Sequence, residues 1–257
     1  MAVPRKTLKN KPLLEAIFEL HWQSKDDSAE LNAAYPLWLG SFYNAIKSRY
    51  VFHEPLAGYG LPNDLVGNLI CNRFRAADGE WPLVQLGPQI ATLNDVHGYS
   101  WDDSFYQGIV DLIDAIQKTH PLADHIGLTK LVLRYMDAVD IDIPGLDAVG
   151  FIRKHFGIGL DMNPDLFLDS SLGGSPLSAD IAIEFPCASP KGSLKLRFSN
   201  GNGNRASTLI WETLFVSEFD KLAISNEGIT SWAQQAHDRT SGSFFNLIDQ
   251  DLSRRFD

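Results

Sequence analysis

From Trp81 to Trp101 the chain reads Trp-Pro-Leu-Val-Gln-Leu-Gly-Pro-Gln-Ile-Ala-Thr-Leu-Asn-Asp-Val-His-Gly-Tyr-Ser-Trp. Gly87-Pro88 breaks it, and apolar residues on both sides of the break predict two short strands that run through a core. Ser100 then offers a hydroxyl to cap a helix, with Asp102 and Asp103 in the first turn complementing the helix dipole. Trp101, Phe105, Ile109, Leu112, Ile113 and Ile116 recur at helical spacing behind that cap, and His120-Pro121 ends the run.

The rest of the chain hangs on this stretch. Residues 12–22 alternate, with Leu14, Ala16, Phe18 and Leu20 on one face and Glu15, Glu19 and His21 on the other, as in a half-buried strand. A turn at 25–28 leads to a helix reaching about Tyr50, carrying Leu39, Phe42 and Ile46, with Pro36 expected in its first turn. After a strand or loop near 51–60 and a Leu-Pro-Asn-Asp turn, residues 66–76 read as a strand, and Ala77-Asp78-Gly79 as a hairpin signal. Residues 127–143 form a long strand stopped by Pro144-Gly145, and 146–156 a short helix. The Gly-, Asp- and Pro-rich stretch 157–178 reads as a long surface loop suited to mobility. Three strands follow, at 179–188, 193–200 and 207–218, the last two joined by an Asn-Gly-rich turn at 200–204. A final long helix from Asn226 carries Ile229, Trp232, Ala236, Phe244, Leu247, Ile248 and Leu252, with Ser241-Gly-Ser243 as its expected bend.

A repeat of element order lies beneath this. Arg73-Phe74 leads through a Gly turn to an apolar strand and a helix opening at Trp101; Arg197-Phe198 leads through a Gly turn to an apolar strand and a helix carrying Trp232. The expected fold class is α+β: two β-α-β-β-β-α units, 1–126 and 127–257, each with an antiparallel sheet. Edge-to-edge pairing would make one continuous pseudo-twofold sheet with helices on one face and an open face or inter-repeat cleft for a partner.

Bulk properties narrow the function. With 257 residues there is ample material for a core, and 44% hydrophobic and 21% charged residues are ordinary for a globular protein. A net charge of −10 argues against nonspecific nucleic-acid or anionic-membrane binding, which needs Lys and Arg. The basic start lacks the apolar stretch of a secretory signal, and no segment approaches the ~20 apolar residues of a spanning helix. Cys71 and Cys187 stand alone in separate predicted strands, as buried free thiols of a reducing compartment would. The expected location is the cytoplasm.

Chemistry-bearing residues are scattered. Asn94, Asp95, His97 and Asp102 crowd one strand-to-helix junction, where a carboxylate beside a histidine can do acid–base work; a turn and a helix terminus use the same residues. Asp137, Asp140 and Asp142 end the long strand, either as oxygen ligands for a hard cation or as a solvated strand end. His120 and His125 share no helical face, and His237-Asp238-Arg239 is expected on or beside the polar side of its helix. Arg73, Arg75, Arg134 and Arg197 fall within strands, where Arg is uncommon unless it is paired or binds an anion; Glu15, Glu19, Glu184 and Asp137 are the candidate carboxylate partners. No phosphate-cradling loop, zinc spacing, nucleophile elbow or kinase set is present, so neither a cofactor nor a metal is expected.

Pro12-Leu-Leu-Glu-Ala-Ile-Phe-Glu19, Arg73-Phe-Arg75 with Asp78-Gly79, Val84-Gln-Leu-Gly-Pro88 with Asn94, Tyr99 and Trp101, and Leu133-Arg-Tyr135 together resemble one family, as does the closing helix with Ala236-His237 and Phe244. It is a sporadically distributed family of bacterial proteins of about 250 residues and unassigned function. One departure is Asp137, at a position where relatives are expected to carry Asn. The patchy distribution of such a family implies accessory genes in phage-defence or toxin–antitoxin settings. The resulting expectation is a cytoplasmic binding or regulatory protein with a protein or peptide partner, self-association included. The alternative is an enzyme or nucleotide sensor with a site among Arg73, Arg75, Arg134 and His97, and with Arg197 and Asn94 as further ligand-binding candidates.

Overall fold

The protein is described here from a computed structural model covering residues 8–25, 30–57, 59, 69–96, 98–121, 123–141, 147–161, 163–167, 176, 178–200 and 208–257. Among the described residues, nine strands form one antiparallel sheet in the order β2-β3-β4-β5-β1-β6-β9-β8-β7. They are β1 (Leu13–Ser24), β2 (Phe52–Pro55), β3 (Asn72–Arg75), β4 (Leu83–Gly87), β5 (Ile90–Asp95), β6 (Ile126–Asp140), β7 (Asp180–Ala188), β8 (Lys191–Asn200) and β9 (Thr208–Ala223). The helices are α1 (Glu30–Ile46), α2 (Tyr106–Thr119), α3 (Ala148–Phe156), α4 (Asn226–Leu247) and α5 (Gln250–Phe256). The architecture is α+β, as the element order requires.

Strand periodicity decides what each face of the sheet carries. Register aligns Phe74, Val84, Leu93, Phe18, Leu133, Phe215, Leu194 and Phe185 in one row across β3-β4-β5-β1-β6-β9-β8-β7. Helices pack on this side: Phe42 of α1 meets Phe74, Gly108 of α2 lies against Leu93, and Trp232 of α4 meets both Phe18 and Phe215. Phe156 of α3 and Phe256 of α5 close on Trp211. Gly108 is needed there, since a Cβ would fall 2.8 Å from a Leu93 methyl.

The opposite face carries cross-strand charge pairs. Arg73 reaches Glu54 at 3.2 Å, Arg134 reaches Glu19 at 3.8 Å, Lys195 reaches Glu184 at 3.1 Å and Arg197 reaches Asp180 at 2.7 Å. Opposite charges on directly facing or diagonal positions support register on a sheet face.

Several boundaries differ from expectation. Leu14 is 46% exposed, because the β1–β6 register shifts between Leu13 and Glu15 and turns it away from the side that buries Ala16, Phe18 and Leu20. Helix α1 ends at Ile46, and Tyr50 is buried from a following turn that bonds its N–H to the Ile46 carbonyl at 2.9 Å. The closing helix runs unbroken past Ser241-Gly-Ser243 and stops at Ile248, where Asp249 caps α5 by accepting from the Leu252 N–H at 2.7 Å. Cys71 is buried and Cys187 half-buried, both as free thiols. The expected turns at 26–28, 61–64 and 201–204, the strand start at 66–68 and much of the 157–178 loop lie outside the described residues. No helix is long and apolar enough to cross a membrane among the described residues.

Candidate functional site

The four strand arginines are spread across the sheet and each has a carboxylate. Arg73 and Arg75 share Glu54, and Arg75 also donates to the Glu80 carbonyl and stacks over the Trp81 ring at 5.0 Å. Arg134 pairs with Glu19, and Arg197 with Asp180 and, at 4.0 Å, with Glu212. Burial would raise the Glu19 carboxyl, but the His21 hydrogen bond and the Arg134 charge outweigh it and hold Glu19 below its ordinary value. Asn94 donates to Glu15 at 2.8 Å and accepts from Thr92 at 2.6 Å. Each of the four arginines has a carboxylate within 4.0 Å, with Glu54 shared by two of them. His97 lies outside the described residues.

A different set of residues converges on the helix side. A cavity of about 170 Å³ opens between α4, the ends of β6 and β9, the segment leading into β1, and the turn that opens α2. That turn, Trp101–Phe105, is a single π-helical turn in which the Phe105 N–H reaches back five residues to Ser100 O at 2.9 Å. Single π-helical turns are rare overall and are found often at functional sites. Ser100 caps it as the sequence predicts, accepting from the Asp103 N–H. The wider turn places Trp101 flat on His237, ring centroids 3.9 Å apart and planes 6° apart.

Tyr135 is the hub. Its hydroxyl lies 2.9 Å from Tyr99 Oη and 2.9 Å from His237 Nδ1, so three ring side chains from three elements share one hydrogen-bonded chain. His237 is only 7% exposed. The expectation of a polar helix face at 237–239 therefore fails for His237, which falls in phase with Ala233, Ala236 and Thr240 on the buried stripe of α4.

Asp137 lines the same cavity and is 3% exposed. It is not part of a solvated strand end; it follows Leu131, Leu133 and Tyr135 on the helix-facing phase of β6. Its Oδ2 has no hydrogen-bond partner among the described residues, nor has the hydroxyl of buried Thr213, which faces Tyr135 on β9. Burial pushes the Asp137 carboxyl up to about 8. Asp140 is exposed and accepts from Thr208 at 2.8 Å, while Asp142 lies outside the described residues. No grouping of three or more metal-ligating side chains occurs among the described residues.

A buried carboxyl and a buried hydroxyl without partners cost folding free energy, roughly 1–3 kcal/mol for each polar group left unmade. Both residues line a cavity that is also walled by Tyr99, Tyr135, Phe244 and Phe245. The sequence did hold a signal for them. Asp137 and Thr213 are polar residues on the apolar phase of long strands, where alternation calls for a hydrophobe. Comparison with protein-family models and with curated proteins finds no match to this chain.

Proposed function

We propose that this chain is a binding protein, and that its site is the cavity between α4 and the ends of β6 and β9. The observation that carries the reading is the pair of buried, unpartnered polar groups, Asp137 Oδ2 and Thr213 Oγ1, in a ring-lined cavity. Its volume is close to the roughly 150 Å³ that holds one benzene ring, which sets the ligand as a compact organic molecule. The position of Asp137, Thr213, Tyr135 and His237 on packed strands and a helix favours a preformed site. A thermal-shift screen of one-ring compounds tests this. Some should raise the unfolding midpoint of the native chain and leave a Ser241→Trp variant, whose indole fills the cavity, unmoved. A screen that raises neither midpoint defeats the reading.

A second reading adds a protein or peptide partner, and the free edge of β7 favours it. Among the described residues β7 pairs with β8 alone, and Phe185 on it is 48% exposed. An extended segment can add to such an edge. Pro186 lacks an N–H and confines the addition to the stretch before it. The family resemblance would set this partner in a cytoplasmic phage-defence or toxin–antitoxin context. Hydrogen exchange that slows at 180–185 when a candidate partner is added supports this reading, and unchanged exchange with a partner known to be bound removes it.

We also infer that the halves 1–126 and 127–257 are two copies of one plan. The support is their strand order, β3-β4-β5-β1 against β7-β8-β9-β6, mirrored about the β1–β6 pair.

A further inference from the structure

Resting on the cavity as the binding site, we propose that its ligand is a primary amine: an ammonium head set against Asp137 and Thr213, carrying a single ring or branched apolar body that lies among Tyr99, Phe244 and Phe245. Four observations support the charge and the shape. Asp137 and Thr213 line the cavity from adjacent strands, each with an oxygen that has no hydrogen-bond partner among the described residues, and an ammonium group brings three donors to such acceptors. No Lys, Arg or His of the described residues forms an ion pair with Asp137, which leaves its charged form open to a cation from outside. The walls are aromatic, and Tyr99, Phe244 and Phe245 suit a single ring or branched apolar body. Lys11 already sets an ammonium on the rim, 5.9 Å from the centre of the Tyr99 ring and donating to the Tyr99 carbonyl. A carboxylate or phosphate ligand would meet only the neutral, protonated form of Asp137 and forgo the ion pair.

The other charged or titratable groups around the cavity are Lys11 from the segment before β1, Asp102 and Tyr99 from the turn into α2, Tyr135 from β6 and His237 from α4. Of these, Tyr99, Tyr135 and His237 are tied into one hydrogen-bonded chain, and the proton that leaves on binding is the one on the Asp137 carboxyl, which the entering ammonium meets. At neutral pH that carboxyl is mostly protonated in the empty protein. Binding then reads Asp137–COOH plus R–NH3⁺ going to the Asp137–COO⁻ and R–NH3⁺ pair plus one released H⁺. No bond other than the O–H breaks, and no oxidant or further reactant is needed. The site thus selects amines by a proton leaving as the ligand enters, a signature a neutral ligand cannot give.

Titration calorimetry at pH 7, in two buffers of different ionisation enthalpy, separates the possibilities with 2-phenylethylamine, 2-phenylethanol and phenylacetate as probes. The amine should bind about tenfold or more tightly than the alcohol, with close to one proton released, and phenylacetate should bind most weakly. Asp137→Asn should bring the amine down to the alcohol's affinity and abolish the proton release. Thr213→Val, which keeps the side-chain shape, should weaken the amine several-fold and provides the reading if Asp137→Asn does not fold. Alcohol or phenylacetate binding as tightly as the amine, or an amine affinity unmoved by both substitutions, overturns the amine and leaves the cavity as a binding site. Binding by none of the three at millimolar concentration overturns the amine proposal, while ring compounds of other chemistry that still raise the unfolding midpoint in the thermal-shift screen keep the cavity.

Discussion

The indole of Trp101 and the imidazole of His237 lie face to face at 3.9 Å, joining the turn that opens α2 to the middle of α4. The stack fixes the ring whose Nδ1 meets the Tyr135 hydroxyl, and so ties the rim of the cavity to its wall. His237→Phe keeps a flat partner for Trp101 and loses only the hydrogen bond, an expected cost of about 1 kcal/mol. His237→Ala loses the stack as well and should cost about 2–3 kcal/mol. Urea unfolding of the two variants checks this; equal losses would show that the stack contributes nothing.

Asp137 predicts how stability changes in alkaline solution. Its folded value of about 8 lies above the ordinary carboxyl value of 3.8, so the folded chain holds a proton that the unfolded chain has released. That contribution is fully present below about 3.8 and is lost as pH rises through about 8. Asp137→Asn, which stays neutral, should flatten the stability profile between pH 6 and 9, roughly the upper half of that window, and unfold later than the native chain at pH 9. Denaturant midpoints across that range decide it, and parallel profiles would count against a buried, protonated Asp137.

His120 predicts the opposite slope in acid. It packs on Trp38 with ring centroids 4.4 Å apart, and burial pushes it down to about 4 from 6.5. Its neutral, buried form contributes stability above 6.5 that disappears as pH falls through about 4. His120→Phe should therefore lose less stability than the native chain between pH 6.5 and 4, measured by thermal unfolding at each pH.

The sheet's charge pairs should differ in value according to how far each is from water. Glu19 is well buried beside Arg134, so Arg134→Ala strands a carboxylate and should cost about 1–2 kcal/mol. Arg197 and Asp180 face solvent, and Arg197→Ala should leave the unfolding midpoint essentially where it was. Comparable losses from both would mean that exposure is not what grades these pairs.

Two glycines make a test of backbone packing. A Cβ on Gly87 would lie 2.1 Å from the Leu69 carbonyl oxygen, a backbone atom that cannot swing aside. Gly87→Ala should destabilise by about 2 kcal/mol or more. Gly40 is exposed within α1 with nothing within 4 Å of its Cβ position, and Gly40→Ala should stabilise by about 0.5–1 kcal/mol. Circular-dichroism melts of both variants give the comparison.

Much of the fold was legible because it is written in local periodicity. The alternation of Ala16, Phe18 and Leu20, the break at Gly87-Pro88 and the cap at Ser100 each carry their own physical signal, and each lies where that signal puts it. Boundaries set by long-range contacts were less legible. The exposure of Leu14 follows from a register shift against β6, which the β1 sequence alone does not contain. The site was harder still. Arginines in strands stand out because unpaired charge there is unusual, yet each has a carboxylate or carbonyl partner on a neighbouring strand or in an adjoining turn. Asp137 reads from the sequence as part of a strand-end carboxylate group and His237 as helix-surface polarity; that they and Thr213 are polar residues in apolar phase gains meaning once β6, β9 and α4 are known to meet.

Strand β1 lies between β5 and β6, so both of its neighbours come later in the chain. Its backbone edges stay unpaired during synthesis until those later strands emerge, and the flank at Phe18 stays uncovered until Trp232 of α4 follows. A chain built this way depends in the cell on whatever shields that flank in the meantime, and crowding or heat during translation should harm its yield more than the same stress applied after folding.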